Sequence, residues 1–216
     1  MNQKTVSEQT LRRLPVYLHY LRSVRGEREC ISATALAQAF GLNDVQVRKD
    51  LGSVSGLGRP KVGYAVEELI AQLEGFLGCR AATSVILVGA GHLGTALLSY
   101  AGFLDYGLDI CAAFDCAEDV IGRRVCGIPV LSSEELEAYC RAHCIHLAIL
   151  TVPASAAQQM CDRLVGCGIR AIWNFAPTIL RAPAGVTVEN ENLASSLAVL
   201  TRHLNEGRRT EAGESI

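Results

Sequence analysis

The chain has 216 residues, of which 50% are hydrophobic and 19% are charged, and its formal net charge is −2. This composition supports a buried core and excludes a wholly disordered chain. The first ten residues, MNQKTVSEQT, lack the apolar segment of a signal peptide, so we expect a cytoplasmic protein. Residues 81–104 carry no formal charge, but glycines interrupt them midway. This pattern favours a strand, loop and helix over a membrane span, and predicts no membrane partner.

Nine cysteines stand at irregular spacing along the chain. In a chain without an export signal we expect them to remain reduced. Cys140 and Cys144, with His143 and His146 beside them, are metal-binding residue types, but no second pair stands at a zinc-like spacing. We therefore predict no metal site.

The distribution of charge indicates two domains. Residues 1–80 contain 11 Lys and Arg against 8 Asp and Glu, whereas residues 81–216 contain 9 against 14. Apolar residues follow helical spacing in the first part, and strand and helix patterns alternate in the second. We predict one domain over residues 1–80 and another over residues 81–191.

The first domain begins with a predicted helix over residues 10–24. Pro15 fits this helix only if it begins near Arg12 or kinks at the proline. Four leucines recur there at helical spacing: Leu11, Leu14, Leu18 and Leu21.

A pair of short helices is predicted next. Ser32 or Thr34 caps the first, and Gly41 ends it because glycine tolerates a positive φ. Asn43 or Asp44 then caps a second helix, VQVRKDL. Such a pair forms a helix-turn-helix, whose second helix enters the major groove of DNA.

The second helix supplies the predicted contacts to bases. Its apolar residues, Val47 and Leu51, are expected to face the core, and its polar residues to point elsewhere: Gln46, Arg48, Lys49 and Asp50. Gln46 is predicted to pair with adenine, and Arg48 or Lys49 with guanine or with phosphate. The alternative is a small helical domain with solvated cations.

A glycine-rich segment follows over residues 52–64 and suits a hairpin-like wing. Arg59 and Lys61 at its tip are predicted to enter a minor groove or to contact phosphate. The alternative is a flexible loop with two solvated cations. A linking helix is predicted over residues 65–78.

The second domain alternates apolar strands with helices, which predicts a parallel, doubly wound sheet of the Rossmann type. The predicted helices cover residues 93–104, residues from Ser132 or Ser133 to 140, and residues 154–165. The predicted strands cover residues 84–88, 108–114, 128–131, 145–151, 169–173 and 186–188.

A glycine fingerprint follows the first of these strands and opens a helix: Gly89, Ala90, Gly91, His92, Leu93 and Gly94. In this context Gly89 permits the tight turn, Gly91 lets the backbone approach a pyrophosphate, and Gly94 lets helix and strand pack closely. The pyrophosphate is expected at the helix N-terminus, where free N–H groups favour an anion. The pattern predicts a dinucleotide site.

Asp115 stands 21 positions after Gly94, at the end of the second strand. A carboxylate there accepts hydrogen bonds from the adenosine ribose and repels a 2′-phosphate, which predicts NAD(H) as the cofactor. The alternative is a capping Asp in a loop. Two loops at the same edge add candidate cofactor contacts: Thr151, Val152, Pro153, Asn174 and Phe175. Phe175 suits the nicotinamide face, although both loops also read as ordinary proline-containing turns.

Catalytic groups are harder to place. A dehydrogenase needs a proton donor or acceptor beside the nicotinamide. His92 lies within the phosphate loop, and His143 and His146 precede a strand. We therefore predict a sensor with no catalytic residues. The alternatives are a DNA-binding regulator that holds CoA or an adenine nucleotide, and an NAD-dependent oxidoreductase.

These motifs together resemble the Rex family of bacterial redox-sensing transcriptional repressors over nearly the whole chain. The segments that carry the resemblance are QVRKDL, VGAGHLGTAL, AFD, AILTVPA and GIRAIWNFAP. The resemblance implies a homodimer that binds palindromic operator DNA, with binding permitted by NAD⁺ and relieved by NADH. It also implies that a last helix over residues 192–205 swaps across the dimer, and residues 206–216 are expected to be a flexible tail.

The chain departs from the family pattern in the wing and at the start of the last helix. Where the family has Ser-Tyr-Phe-Gly, this chain has Gly-Ser-Val-Ser over residues 52–55, and a wing arginine is replaced by proline in Arg59-Pro60-Lys61. We expect an altered DNA affinity or operator choice. The switch and dimer positions are His19, Tyr100, Asn192 and Leu193. Asn192 lacks the family's carboxylate, and His19 stands where some members have an arginine.

Overall fold

The computed structural model describes residues 6–56, 58–60 and 62–213, which form two compact units. The first unit runs to Ala82 and also contains Leu104–Gly107. The second contains Thr83–Phe103 and the chain from Leu108 onward. None of the helices in the described ranges combines the length and apolarity that a bilayer span requires.

The first unit is a winged helix-turn-helix. Its strands β1 and β2 pair antiparallel, and a bridge between Arg59 and Gly63 closes the wing. Buried side chains of all four helices form one core. The elements are α1 Glu8–Ser23, β1 Cys30–Ile31, α2 Ala33–Phe40, α3 Asp44–Val54, β2 Tyr64–Ala65 and α4 Val66–Leu77.

The helix-turn-helix is set by local capping. The Ser32 hydroxyl accepts the Ala35 N–H at 3.0 Å, which begins α2. Gly41, with φ +63°, ends that helix in the left-handed region. The Asn43 side chain accepts the Val45 N–H at 2.8 Å and begins α3. Ser32 and Asn43 are therefore the capping residues among the predicted alternatives.

Helix α1 begins earlier than the sequence suggested. Ser7 caps it by accepting the Thr10 N–H at 3.2 Å, so α1 begins at Glu8 and not at residue 10. A start near Arg12, one of the two ways considered for accommodating Pro15, is excluded, and the proline lies inside the helix. The Ser7 cap and the acidic first turn favour this early start, and packing of buried side chains on both sides of Pro15 holds the helix together despite the missing N–H. Leu11 is 41% exposed and lies outside the core. The large buried side chains of α1 are Leu14, Tyr17, Leu18 and Leu21.

The second unit has a seven-stranded sheet in the order β5-β6-β4-β3-β7-β8-β9. All pairs are parallel except β5 with β6. The predicted doubly wound sheet is confirmed, with this antiparallel hairpin as an addition. Its strands are β3 Thr83–Val88, β4 Leu108–Asp115, β5 Arg124–Val125, β6 Ile128–Ser132, β7 Leu147–Leu150, β8 Ala171–Asn174 and β9 Thr187–Asn190. Its helices are α5 His92–Leu98, α6 Leu136–His143, α7 Ala154–Gly166 and α8 Leu193–Gly213.

Two helices differ in length from their predictions. The predicted helix over residues 93–104 is replaced by α5 and a separate 3₁₀ helix, Ala101–Tyr106. The Ser99 hydroxyl bonds to the Thr95 carbonyl at the end of α5. In contrast, α8 continues to Gly213, so residues 206–213 are helical where a flexible tail was expected. A single glycine inside such a run costs only about 1 kcal/mol relative to alanine and does not by itself end a helix.

The arrangement of strands places a crevice at one edge of the sheet. Strand β3 is central, with β4 and β6 on one side and β7 and β8 on the other. The strand order therefore reverses at β3, and such a switch point leaves a crevice beyond the carboxyl ends of the strands.

Candidate functional sites

A cavity of about 500 Å³ lies in this crevice. Met160 and Phe114 join its wall from α7 and β4, so the cavity has a strongly apolar side. Eight of the twelve predicted cofactor residues line it: Gly89, Gly91, Leu93, Asp115, Thr151, Val152, Pro153 and Phe175.

The fingerprint glycines occupy three different environments. Gly89 has φ +103°, and a Cβ there would lie 2.9 Å from the Thr151 carbonyl. The Thr151 hydroxyl donates to the Gly89 carbonyl at 2.6 Å, which fixes the turn. A Cβ on Gly94 would lie 1.9 Å from the Gly89 oxygen, whereas one on Gly91 would meet nothing within 4 Å. Gly89 and Gly94 thus hold the loop against β3 and β7, and Gly91 faces open space where a ligand can approach.

Asp115 holds the same loop from the neighbouring strand. Its Oδ2 accepts the Ala90 N–H at 2.6 Å, and its Oδ1 accepts the N–H groups of Cys116 and Ala117 at 2.7 and 2.9 Å. A carboxylate has about four lone-pair sites, so these three bonds leave acceptor capacity on Asp115, which also lines the cavity. The capping alternative and a ribose contact are therefore compatible.

Four predicted residues are not part of the cavity wall: Ala90, His92, Gly94 and Asn174. Asn174 is fully buried. Its amide donates to the Thr178 carbonyl at 2.8 Å and to Asn190 Oδ1 at 2.9 Å, and its oxygen accepts the Ala176 N–H at 3.0 Å. Asn174 shapes the loop that carries Phe175.

Pro177, which belongs to the second predicted loop, also lines the cavity. Sequence reasoning missed the rest of the wall: Val88, Phe114, Cys116, Ser133, Ala156 and Met160. Ala156 and Met160 were detectable, because they stand three and seven residues after Pro153 on one face of the next helix. Ser133 follows β6 and was visible only as a helix cap.

On α3, the structure corrects the interpretation of Asp50. This carboxylate was expected to point away from the core, but it is buried. Arg13 donates to both of its oxygens, at 2.7 and 3.0 Å, and the Tyr17 hydroxyl donates to Oδ2 at 3.0 Å. The Gln46 amide also donates to Asp50, at 2.8 Å, so Gln46 is half-buried and directed toward this cluster. Partners on α1 explain the burial, since a paired and hydrogen-bonded charge tolerates a core position.

Arg48 and Lys49 remain exposed on α3. Arg48 pairs with Asp44 at 2.7 Å, on the same helix. A second cavity, of about 460 Å³, lies between α2, α3 and the wing, and Arg48 and Arg59 both line it. The predicted DNA contact Lys61 lies outside the described residues. Two cations therefore flank one cleft beside α3.

Comparison with known proteins identifies both units. Residues 5–52 match a family model described as "Putative DNA-binding protein N-terminus", and residues 80–178 match one described as "CoA binding domain". A redox-sensing transcriptional repressor Rex of Treponema denticola is 42% identical over 94% of this chain and 97% of its own length. The chain belongs to the Rex family. The Clostridioides difficile Rex is 38% identical over 96% of this chain and all of its own length.

Solved Rex structures share the fold of the whole chain. A crystal structure of the Rex-family repressor RSP with NAD⁺ and operator DNA matches with a TM-score of 0.88 and 35% identity, covering 99% of this chain and 100% of that one. RSP in complex with NADH matches with a TM-score of 0.87 and 34% identity, covering 97% and 99%. The predicted Rex resemblance is thereby confirmed.

In this Rex chain an aromatic row leads away from the cofactor cavity. Ring centroids are 4.5 Å apart between Phe175 and Trp173, 5.9 Å between Trp173 and Phe103, and 5.1 Å between Phe103 and Tyr100. Tyr100 is 61% exposed at the far end. The Trp173 indole N–H donates to Glu191 Oε1 at 3.0 Å. Through Trp173, the row therefore connects the cavity to Glu191, the residue before Asn192.

Asn192 begins the last helix of the Rex chain. Its side chain accepts the N–H groups of Ala194 and Ser195 at 3.1 and 3.2 Å, as a capping residue does. His19, the remaining switch position, lies on the exposed face of α1. Four leucines of α8 are 57–66% exposed: Leu193, Leu197, Leu200 and Leu204.

Proposed function

We propose that this Rex protein is a transcriptional repressor that binds palindromic operator DNA as a homodimer and leaves it when NADH binds. The observation that carries the proposal is the cofactor cavity, which the fingerprint loop and Asp115 line in a chain that also has a helix-turn-helix. Its Rex relatives are redox-sensing repressors, and one Rex-family repressor has been crystallised with NAD⁺ and operator DNA and also with NADH. A cytoplasmic location follows, because operators lie on bacterial cytoplasmic DNA.

The cavity fits NAD(H) in its chemistry. The open backbone at Gly91 admits the pyrophosphate, Asp115 accepts from the adenosine ribose, and Phe175 packs against the nicotinamide. The cofactor supplies the signal, since oxidised nicotinamide carries a positive charge that the reduced ring lacks. Thr151, Val152 and Pro153 line the wall beside the fingerprint loop, where the Thr151 hydroxyl donates to the Gly89 carbonyl. The proposal assigns no catalysis to these residues.

The homodimer is proposed to form through a swapped helix over residues 192–205. The exposed leucines of α8 give it an apolar stripe that a partner's cofactor domain would bury. Contacts from Phe175 through Trp173 to Glu191 link the cavity to the start of this helix. Asn192, Leu193, Tyr100 and His19 are the positions through which we expect cofactor state to alter the dimer.

Cofactor identity can be tested with Trp173, the one tryptophan of the sequence. We expect NADH to quench its emission by energy transfer to the reduced nicotinamide, because Trp173 contacts the cavity residue Phe175. NADPH and CoA, which carry an additional ribose phosphate, are expected to bind far more weakly because Asp115 repels that group. The measurement is a titration with each nucleotide in which Trp173 emission is recorded. The titration is repeated with NADH already bound, so that displacement of NADH by NADPH or CoA is measured as well. Displacement of NADH by equimolar CoA would favour the CoA-binding alternative.

The DNA contact of Arg59 can be tested through salt dependence. Arg59→Ala is expected to weaken operator binding and to reduce the slope of log affinity against log salt by about one for each copy that contacts a phosphate. Arg25→Ala is the matched control, because Arg25 already pairs with Glu67 at 2.7 Å. Equal slopes for Arg59→Ala and the wild type would remove Arg59 from the interface.

A further inference from the structure

Val45 is an apolar side chain on the exposed face of α3. It is the second residue of the helix and is 65% exposed, among the most exposed of the large hydrophobic residues in the described chain. Arg48 and Lys49 follow it at three and four positions, so all three side chains share one helix face. That face is opposite the buried residues Val47 and Leu51.

The position of Val45 is fixed by the fold. Its N–H donates to the Asn43 side chain at 2.8 Å, which holds it in the first turn. Burial of Val47, Asp50 and Leu51 anchors the helix from behind. A β-branched side chain has few χ1 rotamers, so Val45 presents its methyl groups with little loss of freedom on binding.

The neighbouring side chains leave Val45 as the group that projects from this turn. Gln46, expected to read adenine, donates its amide to Asp50 and is half-buried. Arg48 pairs with Asp44 at 2.7 Å and also lines the cleft beside the wing. Val45 has no polar group that the protein could engage.

We propose that Val45 contacts the C5 methyl group of a thymine in each operator half-site and so selects T·A at that position. The proposal rests on the proposed function of operator binding. In a helix-turn-helix the N-terminal turn of the second helix lies nearest the base edges. The thymine methyl is the apolar feature of the major groove, and cytosine lacks it. The structure therefore assigns Val45 as a specificity-determining residue.

The test removes that methyl group and nothing else. An operator is first selected from random duplexes by the full-length protein with NAD⁺. Each thymine of one half-site is then replaced in turn by deoxyuridine, and affinity is measured by fluorescence anisotropy at fixed salt. We expect one replacement to weaken wild-type binding by about fourfold, the value for burying one methyl-sized group.

Substitutions at Val45 test whether this residue contacts the thymine methyl group. Val45→Ala should bind the thymine operator more weakly and lose its sensitivity to deoxyuridine at that position. Val45→Thr, which keeps one methyl, should retain part of that sensitivity. Val16→Ala is the control, because Val16 is a valine on α1 that is 48% exposed. This variant should keep the full wild-type sensitivity to deoxyuridine. Thermal unfolding should show Val45→Ala as stable as the wild type.

Two results would overturn the assignment. Either no single deoxyuridine weakens wild-type binding, or Val45→Ala keeps the full wild-type sensitivity. If selection instead yields no sequence-specific binding at all, operator binding itself fails and Val45 has no role. NADH-relieved binding without any methyl effect would leave the repressor proposal intact and overturn Val45 alone.

Discussion

Replacing Asp50 with alanine is expected to lower the free energy of unfolding by about 3 kcal/mol, the lower end of the cost of breaking a buried ion pair. The Asp50 side chain is fully buried, and that of Arg13 is 24% exposed, so the arginine loses its partner while partly desolvated. The Tyr17 and Thr10 hydroxyls, which donate to the same carboxylate at 3.0 Å, also lose their acceptor. The effect is large because four side chains meet on one group.

Urea unfolding followed by far-UV circular dichroism measures this loss. Asp44→Ala is the matched control, because Asp44 pairs with Arg48 on the surface at 38% and 60% exposure. Exposed pairs contribute about 0–1 kcal/mol, so Asp44→Ala should change stability by no more than that. Equal losses in the two variants would show that the Asp50 cluster is no more stabilising than a surface pair.

The same cluster gives stability a dependence on pH. Burial raises the pKa of Asp50, but hydrogen bonds from Arg13, Gln46, Tyr17 and Thr10 outweigh it and hold the pKa below its ordinary value. A carboxyl with a lowered pKa stabilises the folded state above the unfolded pKa of about 4, and this stability is lost as pH falls toward the folded pKa. We expect a steeper loss of stability below about pH 4 in the wild type than in Asp50→Asn.

Gly94→Ala is expected to lower both the stability of the protein and its affinity for NADH. The new Cβ would lie 1.9 Å from the Gly89 carbonyl oxygen, which belongs to the backbone and cannot rotate away. Overpacking of this kind costs about 1–3 kcal/mol of stability. The loop must also shift, and a loss of 1.4 kcal/mol in binding already lowers affinity by about tenfold.

Gly91→Ala provides the contrast. A Cβ at this position meets nothing within 4 Å, so the melting temperature should not change, while the methyl occupies space that the pyrophosphate needs. NADH affinity should therefore fall in both variants, and stability in Gly94→Ala alone. Thermal unfolding without cofactor and NADH titration by Trp173 emission measure the two quantities. Wild-type NADH affinity in Gly91→Ala would place the pyrophosphate elsewhere.

Features set by short-range geometry were predictable from the sequence. The spacing of Gly89, Gly91 and Gly94 after a strand follows from how a strand, turn and helix are joined, and Asp115 follows at the end of the next strand. The caps Ser32 and Asn43 act within three residues. In each case the residues that determine the structure lie close together in the chain.

Features that depend on distant partners were not predictable in this way. Asp50 was expected to face away from the core, because its partners Tyr17 and Arg13 lie 33 and 37 residues earlier. Asn174 was expected in the cavity wall, but its side chain is buried between the loop that follows it and Asn190, which lies 16 residues later on the next strand. The hairpin strand Arg124–Val125 has two residues, too few for a recognisable alternation.

The most direct test of the account is the fluorescence anisotropy of a labelled palindromic operator. The protein is bound with NAD⁺ at fixed salt, and NADH is then titrated while Trp173 emission records occupancy of the cavity. We predict that the wild-type protein releases the operator as NADH saturates the cavity. The Gly91→Ala variant, which binds NADH more weakly, should remain bound to the operator at the same NADH concentrations. An operator that stays bound to wild-type protein when Trp173 shows full NADH occupancy would contradict the proposal.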